Sequence, residues 1–463
     1  MLQDFLCAFG LYGSILAGIS YVFYKQSQNA EDFMLGSRSL NYVATAIAAH
    51  SSDMSIWLFM GLPGIIYTQG MHIAWVPIGL VTGMFCSWTF VAKALRTETE
   101  KYNALTLSTY LENRFDDKSG KLRILSSFLC LLFFTFYISS GLVGMGLMFE
   151  NVFNIDYHLG ILIALLTTVT YTFVGGFVGV AWCDLFQGLF LLCMIMLVPS
   201  LAFLKLPSLK AISMAAKLKS VSLSLLPKTL SGLISSLLLA LSWGLGYFGQ
   251  PHILVNFMGI KNSKDISKAR NIGITWQILT LGSSLGIGII AIAYFAQPLA
   301  DPELVFVTMV KSLFNPFIAG FVLCAIVAAG LTTIDTQILV SASTFANDFY
   351  KQYLHPKATN KEVLRASKIG VLIMPLFSYA VAFNKSASVY ALVEYAWNGL
   401  GSSFGPVILL SLYSKKVTAN GAFWGMLVGG TVAALWPLVG SSVPSMIPGF
   451  FSNLAILLIF SKK

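Results

Sequence analysis

The chain has 463 residues, 56% of them hydrophobic and 10% charged, and a formal net charge of +10. Soluble globular chains carry about 25% charged residues, so this composition and a mean hydropathy of +0.77 exclude a soluble fold and predict an all-α polytopic membrane protein. The basic residues sit in short blocks between apolar runs, as the positive-inside bias produces, so the positive charge requires no nucleic-acid partner.

Allowing about 20 apolar residues per crossing, the sequence predicts about thirteen transmembrane helices, at 5–24, 42–70, 72–95, 123–150, 159–179, 180–204, 231–258, 273–298, 315–346, 367–384, 387–413, 418–440 and 447–461. The first run follows Asp4, with no preceding Lys or Arg and no small-residue cleavage site behind it, so it reads as a retained span and not a signal peptide. Basic blocks at 96–123, 261–270, 351–368, 415–416 and 462–463 fall on one side of a thirteen-span chain. That places the amino terminus outside and the carboxyl terminus in the cytoplasm; the cytoplasmic (inner) membrane is the location expected with it. The loop with Lys205, Lys210, Lys217, Lys219 and Lys228 falls on the opposite side, and its 209–225 stretch reads as an amphipathic helix on the outer surface. No soluble domain is expected at either end, which argues against a sensor.

The second predicted span carries the strongest polar signal. Ser51-Ser52-Asp53-Met54-Ser55-Ile56-Trp57 leads into Gly61-Leu62-Pro63-Gly64 inside a run long enough to cross a bilayer. Backbone groups that leave a helix inside hydrocarbon persist only where protein or a polar cavity supplies partners, so this span reads as broken and as a ligand site. A plain Pro/Gly kink, with Asp53 capping a neighbouring helix, is the alternative on this stretch alone. Five spans later, Trp243-Gly244-Leu245-Gly246-Tyr247-Phe248-Gly249-Gln250-Pro251-His252 predicts a second break, since glycine and proline open helices. Two broken spans at corresponding positions point to an inverted repeat with the site between its halves. A single membrane domain over 1–463 is expected, with a peripheral first span and loop (1–41), a first repeat (42–204), a second repeat (231–413) and peripheral last spans (414–463).

In the ninth predicted span Thr332 and Thr333 lie one helical turn beyond Ala329, so one carbonyl and two hydroxyls can converge. Neutral oxygens without a dedicated carboxylate suit a monovalent cation better than calcium, and carbonyls of Ser51 and Met54 would complete the cage. Back-bonding of each hydroxyl to its own helix is the alternative. Asp335 is costly to bury charged and is read as capping or neutralising a backbone end. The cysteines (Cys7, Cys86, Cys130, Cys183, Cys193, Cys324) and the scattered histidines have no metal-ligand or redox spacing. No catalytic constellation can be assembled, so neither an enzyme nor an organic cofactor is expected, and a passive channel is the rival class within membrane transport.

The stretches SSDMSIWLFMGLPG (51–64), YTFVGGFVGVAWCDLFQ (171–187), WGLGYFGQPHI (243–253), AGLTTIDTQ (329–337) and YAWNGLGSSFGP (395–406) follow one another along most of the chain. In these stretches the sequence resembles the sodium:solute symporter family. The resemblance implies a five-plus-five inverted-repeat, LeuT-like core with two broken helices. It also implies sodium-coupled symport of a small zwitterionic amino acid, proline first, across the lipid bilayer by alternating access. Carried over by position, it implies a Na+ site made by the carbonyls of Ser51, Met54 and Ala329 and the hydroxyls of Thr332 and Thr333. It implies functional intramembrane carboxylates at Asp53 and Asp184, and a solute pocket lined by Ser55, Trp57, Tyr137, Trp243 and Tyr247. Ile56 and His50 stand where related sequences have glycine; Ile56 is expected to point into the pocket, with a helix interface as the alternative. A vitamin carboxylate, an acidic sugar or a different amino acid is the alternative solute.

Overall fold

The computed structural model describes residues 2–24, 29–385 and 388–461; Lys462 and Lys463, counted above among the basic blocks, lie outside the described residues. Helices make up the architecture, and among the described residues the strand-like pairings are two isolated bridges, Leu40 with Ile260 and Gly70 with Ser222.

Helix α1 (Leu2–Tyr24) precedes a broken pair, α2 (Tyr42–Met54) and α3 (Gly61–Gln69). Next comes α4 (Trp75–Cys86), which continues through a π-helical segment, Ser87–Ala92, to Lys101. The long helices α5 (Lys121–Phe153) and α6 (Tyr157–Leu204) follow, then the short α7 (Leu209–Leu218). The second broken pair, α8 (Leu230–Gly246) and α9 (Pro251–Gly259), bends by 46°. The main helices that follow are α10 (Ile266–Tyr294), α11 (Pro316–Thr344, running on as π-helix to Leu354), α12 (Asn360–Ala382), α13 (Val389–Tyr413), α14 (Ala419–Leu435) and α15 (Met446–Ile459), with short helices at Ala30–Leu35, Leu107–Arg114 and Val305–Leu313 in the connections.

Among the described residues, 8 helices are long and apolar enough to cross a bilayer, and the α8–α9 pair raises this to 9. The expected spans at 159–179 and 180–204 form one 48-residue helical stretch, about 72 Å of helix against a hydrocarbon core of about 30 Å. It is interrupted at Gly176, with φ +56° and ψ −168°. The break precedes the expected boundary because a glycine that tolerates this backbone sets it, and hydropathy runs on unchanged.

The two broken pairs run antiparallel. Leu40, just before α2, bonds through its amide to the Gly259 carbonyl (3.3 Å) and accepts from the Lys261 amide (2.8 Å) at the end of α9. Arg38 locks the same end by donating to the carbonyls of Met258 (2.9 Å), Thr99 (3.0 Å) and Ala104 (3.0 Å). Burial pulls its guanidinium down to about 10, which leaves it cationic at neutral pH.

Where α4 crosses α8, glycines bring the backbones into contact. A Cβ added at Gly79 would strike the backbone of Ala240, and one at Gly83 that of Gly244; small residues allow this close helix approach within membranes. Gly83→Val should therefore destabilise the fold by about 1–3 kcal/mol through overpacking. Gly282→Val, at a site where an added Cβ meets nothing within 4 Å, should be near neutral. Thermal unfolding of the purified variants reads the difference, and equal behaviour would contradict the contact.

Candidate functional site

Helix α2 ends where Ser55 adopts φ +48° and ψ −174°, a backbone region that glycine enters freely and other residues occupy at a cost of about 1–3 kcal/mol. A helix end leaves its last four carbonyls without intrahelical partners. Here those belong to Ser51, Ser52, Asp53 and Met54, and all four residues are buried.

Partners come from α11. Thr332 Oγ1 lies 3.0 Å from the Ser51 carbonyl oxygen and 3.2 Å from that of Ala329, and Thr333 Oγ1 lies 3.2 Å from the Ala329 oxygen. Both hydroxyls do bond back within their own helix, and Thr332 also reaches across to α2. The oxygens of Ser51, Ala329, Thr332 and Thr333 therefore converge at the α2–α11 junction, with Met54 closing α2 three residues further on. A hydroxyl can turn its proton aside and present a lone pair. Such a cluster of neutral oxygens has the hard, uncharged donor character that suits a monovalent cation.

Aromatic side chains gather at the same break. Trp57, in the tight turn Ile56–Leu58, packs on Trp243 of α8 with ring centroids 5.3 Å apart. Tyr137 of α5 donates its hydroxyl to the Asp53 carbonyl at 3.0 Å, and Tyr247 donates to the Asp53 carboxylate. Ser55 Oγ accepts the Trp57 amide at 3.2 Å, so this hydroxyl caps the turn. Ser55, Trp57, Tyr137, Trp243 and Tyr247 are thus brought together and buried. The Trp57 Nε1–H has no partner among the described residues.

Three further residues, Trp397, Gln250 and Gln277, complete the cluster. The Trp397 indole N–H donates to the Trp243 carbonyl (3.1 Å) and its ring lies 4.9 Å from Tyr247. Gln250 Nε2 donates to the Trp397 carbonyl at 3.1 Å, and Gln277 Nε2 of α10 donates to the Tyr247 hydroxyl at 2.8 Å. Trp397 and Gln250 lie inside motif stretches quoted above. The signal for Gln277 is an amide deep within an apolar span, since a buried amide needs a partner.

Asp184 of α6 and Asp335 of α11 meet at Thr336, whose hydroxyl lies 3.5 Å from Asp184 Oδ2 and 3.2 Å from Asp335 Oδ1. Asp335 sits within α11, and among the described residues its carboxylate accepts the adjacent Thr336 amide and hydroxyl in place of the helix end that the sequence suggests. No basic side chain pairs with Asp53, Asp184 or Asp335 among the described residues.

Ile56 takes the helix-interface alternative, and His50 is packed in a similar way. An added Cβ at Gly144 or at Gly330 would meet the Ile56 side chain, so Ile56 packs between α5 and α11. His50 accepts the Trp88 indole N–H at 3.0 Å and fills the space left by Gly273. Both are interface residues whose bulk is matched by a glycine opposite.

Beyond the aromatic cluster lies a cavity of about 510 Å³ lined by Gly61, Gly64, Asp301, Glu303, Lys385 and Tyr390. Tyr390 borders Trp243, with centroids 5.8 Å apart. Glu303 accepts from the Ser388 hydroxyl (2.9 Å) and the amides of Val389 and Tyr390 (3.3 Å each), capping α13. Burial pushes its carboxyl above the ordinary glutamate range.

A family model described as the sodium:solute symporter family matches residues 33–429. The chain belongs to the sodium:solute symporter family. It is 41% identical to the high-affinity proline transporter PutP of Bacillus subtilis over 442 residues, 94% of this chain and 93% of that one. It is 38% identical to the sodium/proline symporter of Escherichia coli over 460 residues, 97% and 91% of the two chains. Among solved structures, a substrate-bound, outward-open Na+-coupled sialic acid symporter superposes with a TM-score of 0.83 at 19% identity, covering 99% of this chain and 97% of that one. MhsT in complex with L-phenylalanine gives a TM-score of 0.58 at 12% identity, covering 91% and 99%. The symporter thus has the LeuT-like fold.

The packing of Ile56 sets a test. Ile56→Gly should leave a cavity between α5 and α11 and cost this symporter about 2–5 kcal/mol of stability, while the order in which amino acids compete for uptake stays as in the wild type. A changed order with unchanged thermal stability would return Ile56 to the pocket.

Proposed function

We propose that this symporter couples inward sodium movement to the uptake of proline by alternating access. The observation that carries the reading is the Thr332 hydroxyl, 3.0 Å from a carbonyl of α2 and 3.2 Å from one of α11, immediately beside the aromatic wall at the same helix break. In this reading Na+ is held by the carbonyls of Ser51, Met54 and Ala329 and the hydroxyls of Thr332 and Thr333. The ion joins α2 to α11, and the order it brings to the break reaches the solute wall through Tyr137 and Tyr247, which both bond to Asp53.

Proline is favoured by the relatives named for it, which match almost the whole chain. Its apolar ring suits the faces of Trp57, Trp243 and Tyr247, and the unpartnered Trp57 Nε1–H is a donor for its carboxylate. Ile56 and His50, which stand where related sequences have glycine, pack against Gly144, Gly330 and Gly273, so they give no support to a vitamin or an acidic sugar as the solute. Residues 42–204 and 231–413 act as the two repeats, with 1–41 and 414–463 peripheral. The protein sits in the cytoplasmic membrane with its amino terminus outside and its carboxyl terminus within. One Na+ crossing about 100 mV contributes about 2.3 kcal/mol, enough for roughly fifty-fold accumulation at one-to-one coupling.

Uptake of labelled proline into proteoliposomes tests the reading. Accumulation should require an inward sodium gradient and collapse when potassium replaces sodium; sodium-independent accumulation, or mere equilibration, would contradict it. Thr332→Ala and Thr333→Ala should each raise the sodium concentration for half-maximal uptake by about tenfold, the equivalent of one lost ion–oxygen contact of about 1.4 kcal/mol. Unchanged sodium dependence in both would remove them from the site. Asp53→Asn and Asp184→Asn should lower uptake while the protein remains inserted, because a carboxylate at membrane depth is retained for function. Wild-type rates in both variants would make these carboxylates incidental.

A further inference from the structure

The loop between α6 and α8 carries five lysines and no acidic residue over 205–230, and sodium coupling leaves this charge unexplained. It lies at the end of the molecule opposite the Arg38 lock. The first broken pair starts beside the Leu40–Ile260 bridge and finishes at the Gly70–Ser222 bridge, so the loop and the arginine-rich end are separated by the length of that pair.

Helix α7 is two-sided. Ile212 and Ala216 are buried against the protein, whereas Leu209, Lys210, Ser213, Met214, Lys217 and Leu218 are exposed. At about 100° per residue these six fall on one half of the helix. Leu218 is 87% exposed and Leu209 70%, apolar surface that a membrane interface covers and water does not favour. Lys205, Lys210 and Lys217 have no acidic partner among the described residues. A helix with a basic, leucine-bearing outer half matches an anionic bilayer surface, where acyl chains take the leucines and phosphates the ammonium groups.

The loop is also fastened to the transport machinery. Lys219 differs from its neighbours: its ammonium donates to the carbonyls of Ile292 (2.9 Å) and Phe295 (2.6 Å), closing the carboxyl end of α10. The Met71 amide donates to the Ser222 carbonyl at 2.9 Å, and the Trp75 indole N–H to the Leu225 carbonyl at 3.0 Å. Gly70, with φ +92°, lies so close to Ser222 that an added Cβ would strike its carbonyl. The loop therefore grips the far end of α3, the second half of the helix that carries the sodium and solute residues.

We propose that α7, with Lys205, Lys210 and Lys217, is a docking surface for anionic phospholipid headgroups, and that lipid held there steadies the end of α3 through the Gly70–Ser222 clamp. Each lysine near an anionic surface is worth about fivefold in lipid affinity. The inference concerns the loop and stands apart from the identity of the solute.

The test uses the purified, delipidated full-length protein and three additives: phosphatidylglycerol, phosphatidylcholine and inorganic phosphate. Phosphatidylglycerol should raise the thermal transition of the wild type, and the other two should not. The triple variant K205Q/K210Q/K217Q should lose most of that increment, while its charge-keeping counterpart K205R/K210R/K217R keeps it. K264Q/K357Q/K361Q, which removes the same charge from exposed lysines outside the loop, should also keep it. In proteoliposomes the glutamine triple should lose the dependence of uptake rate on phosphatidylglycerol. An unchanged lipid response in the glutamine triple overturns the proposal. So does an equal loss in the control triple, which would mark bulk surface charge, or an equal stabilisation by free phosphate, which would mark a soluble-anion site.

Discussion

A helix that stops inside a membrane leaves carbonyl oxygens that neither water nor lipid can satisfy, and the rest of this molecule is arranged around those at the end of α2. Continuing the helix past Met54 would have satisfied them, but Ser55 turns the backbone into a conformation that glycine prefers. The carbonyls of Ser51 and Asp53 are then taken up by Thr332 from α11 and Tyr137 from α5. Each partner is buried and fixed by a different helix, so the break becomes the point at which the bundle is knitted together. The same constraint gives the site its chemistry, because oxygens gathered to satisfy one another in the dry interior are also oxygens able to surround a small cation.

Much of this could be read from the residues, and the physical reason is local. Serines, glycines and prolines within an apolar run conflict with a continuous span, and such conflicts mark both breaks. The spacing of Ala329, Thr332 and Thr333 fixes their convergence on any helix. What could not be read depends on contacts between distant segments. Ile56 looked like bulk at the pocket because its neighbours in sequence are pocket residues; only the fold brings Gly144 and Gly330 to receive it. His50 is absorbed in the same way by Gly273. Gln277 carries no motif, and its bond to Tyr247 joins residues 30 apart. The break within α6 falls at Gly176, where the Gly175-Gly176 pair marks it in the sequence and hydropathy does not, a few residues before the expected boundary.

In the proposed reading, Asp53 stands between the aromatic cluster and the oxygens that would hold the cation. The backbone carbonyl of Asp53 takes the Tyr137 hydroxyl and its carboxylate takes the Tyr247 hydroxyl, while Gln277 secures Tyr247 from behind. In that reading, order imposed on α2 by an ion at Ser51 reaches both tyrosines within one turn. The account expects coupling between two sites linked by so short a chain of hydrogen bonds, and thermodynamic linkage requires any such coupling to be equal in both directions.

Reciprocity is the most direct test of this arrangement. Equilibrium binding of proline to the purified protein should be measured across a sodium titration, and sodium binding across a proline titration. The account predicts that saturating sodium tightens proline binding and that saturating proline tightens sodium binding by the same factor. Proline affinity that is unchanged when sodium is fully replaced by potassium would contradict it.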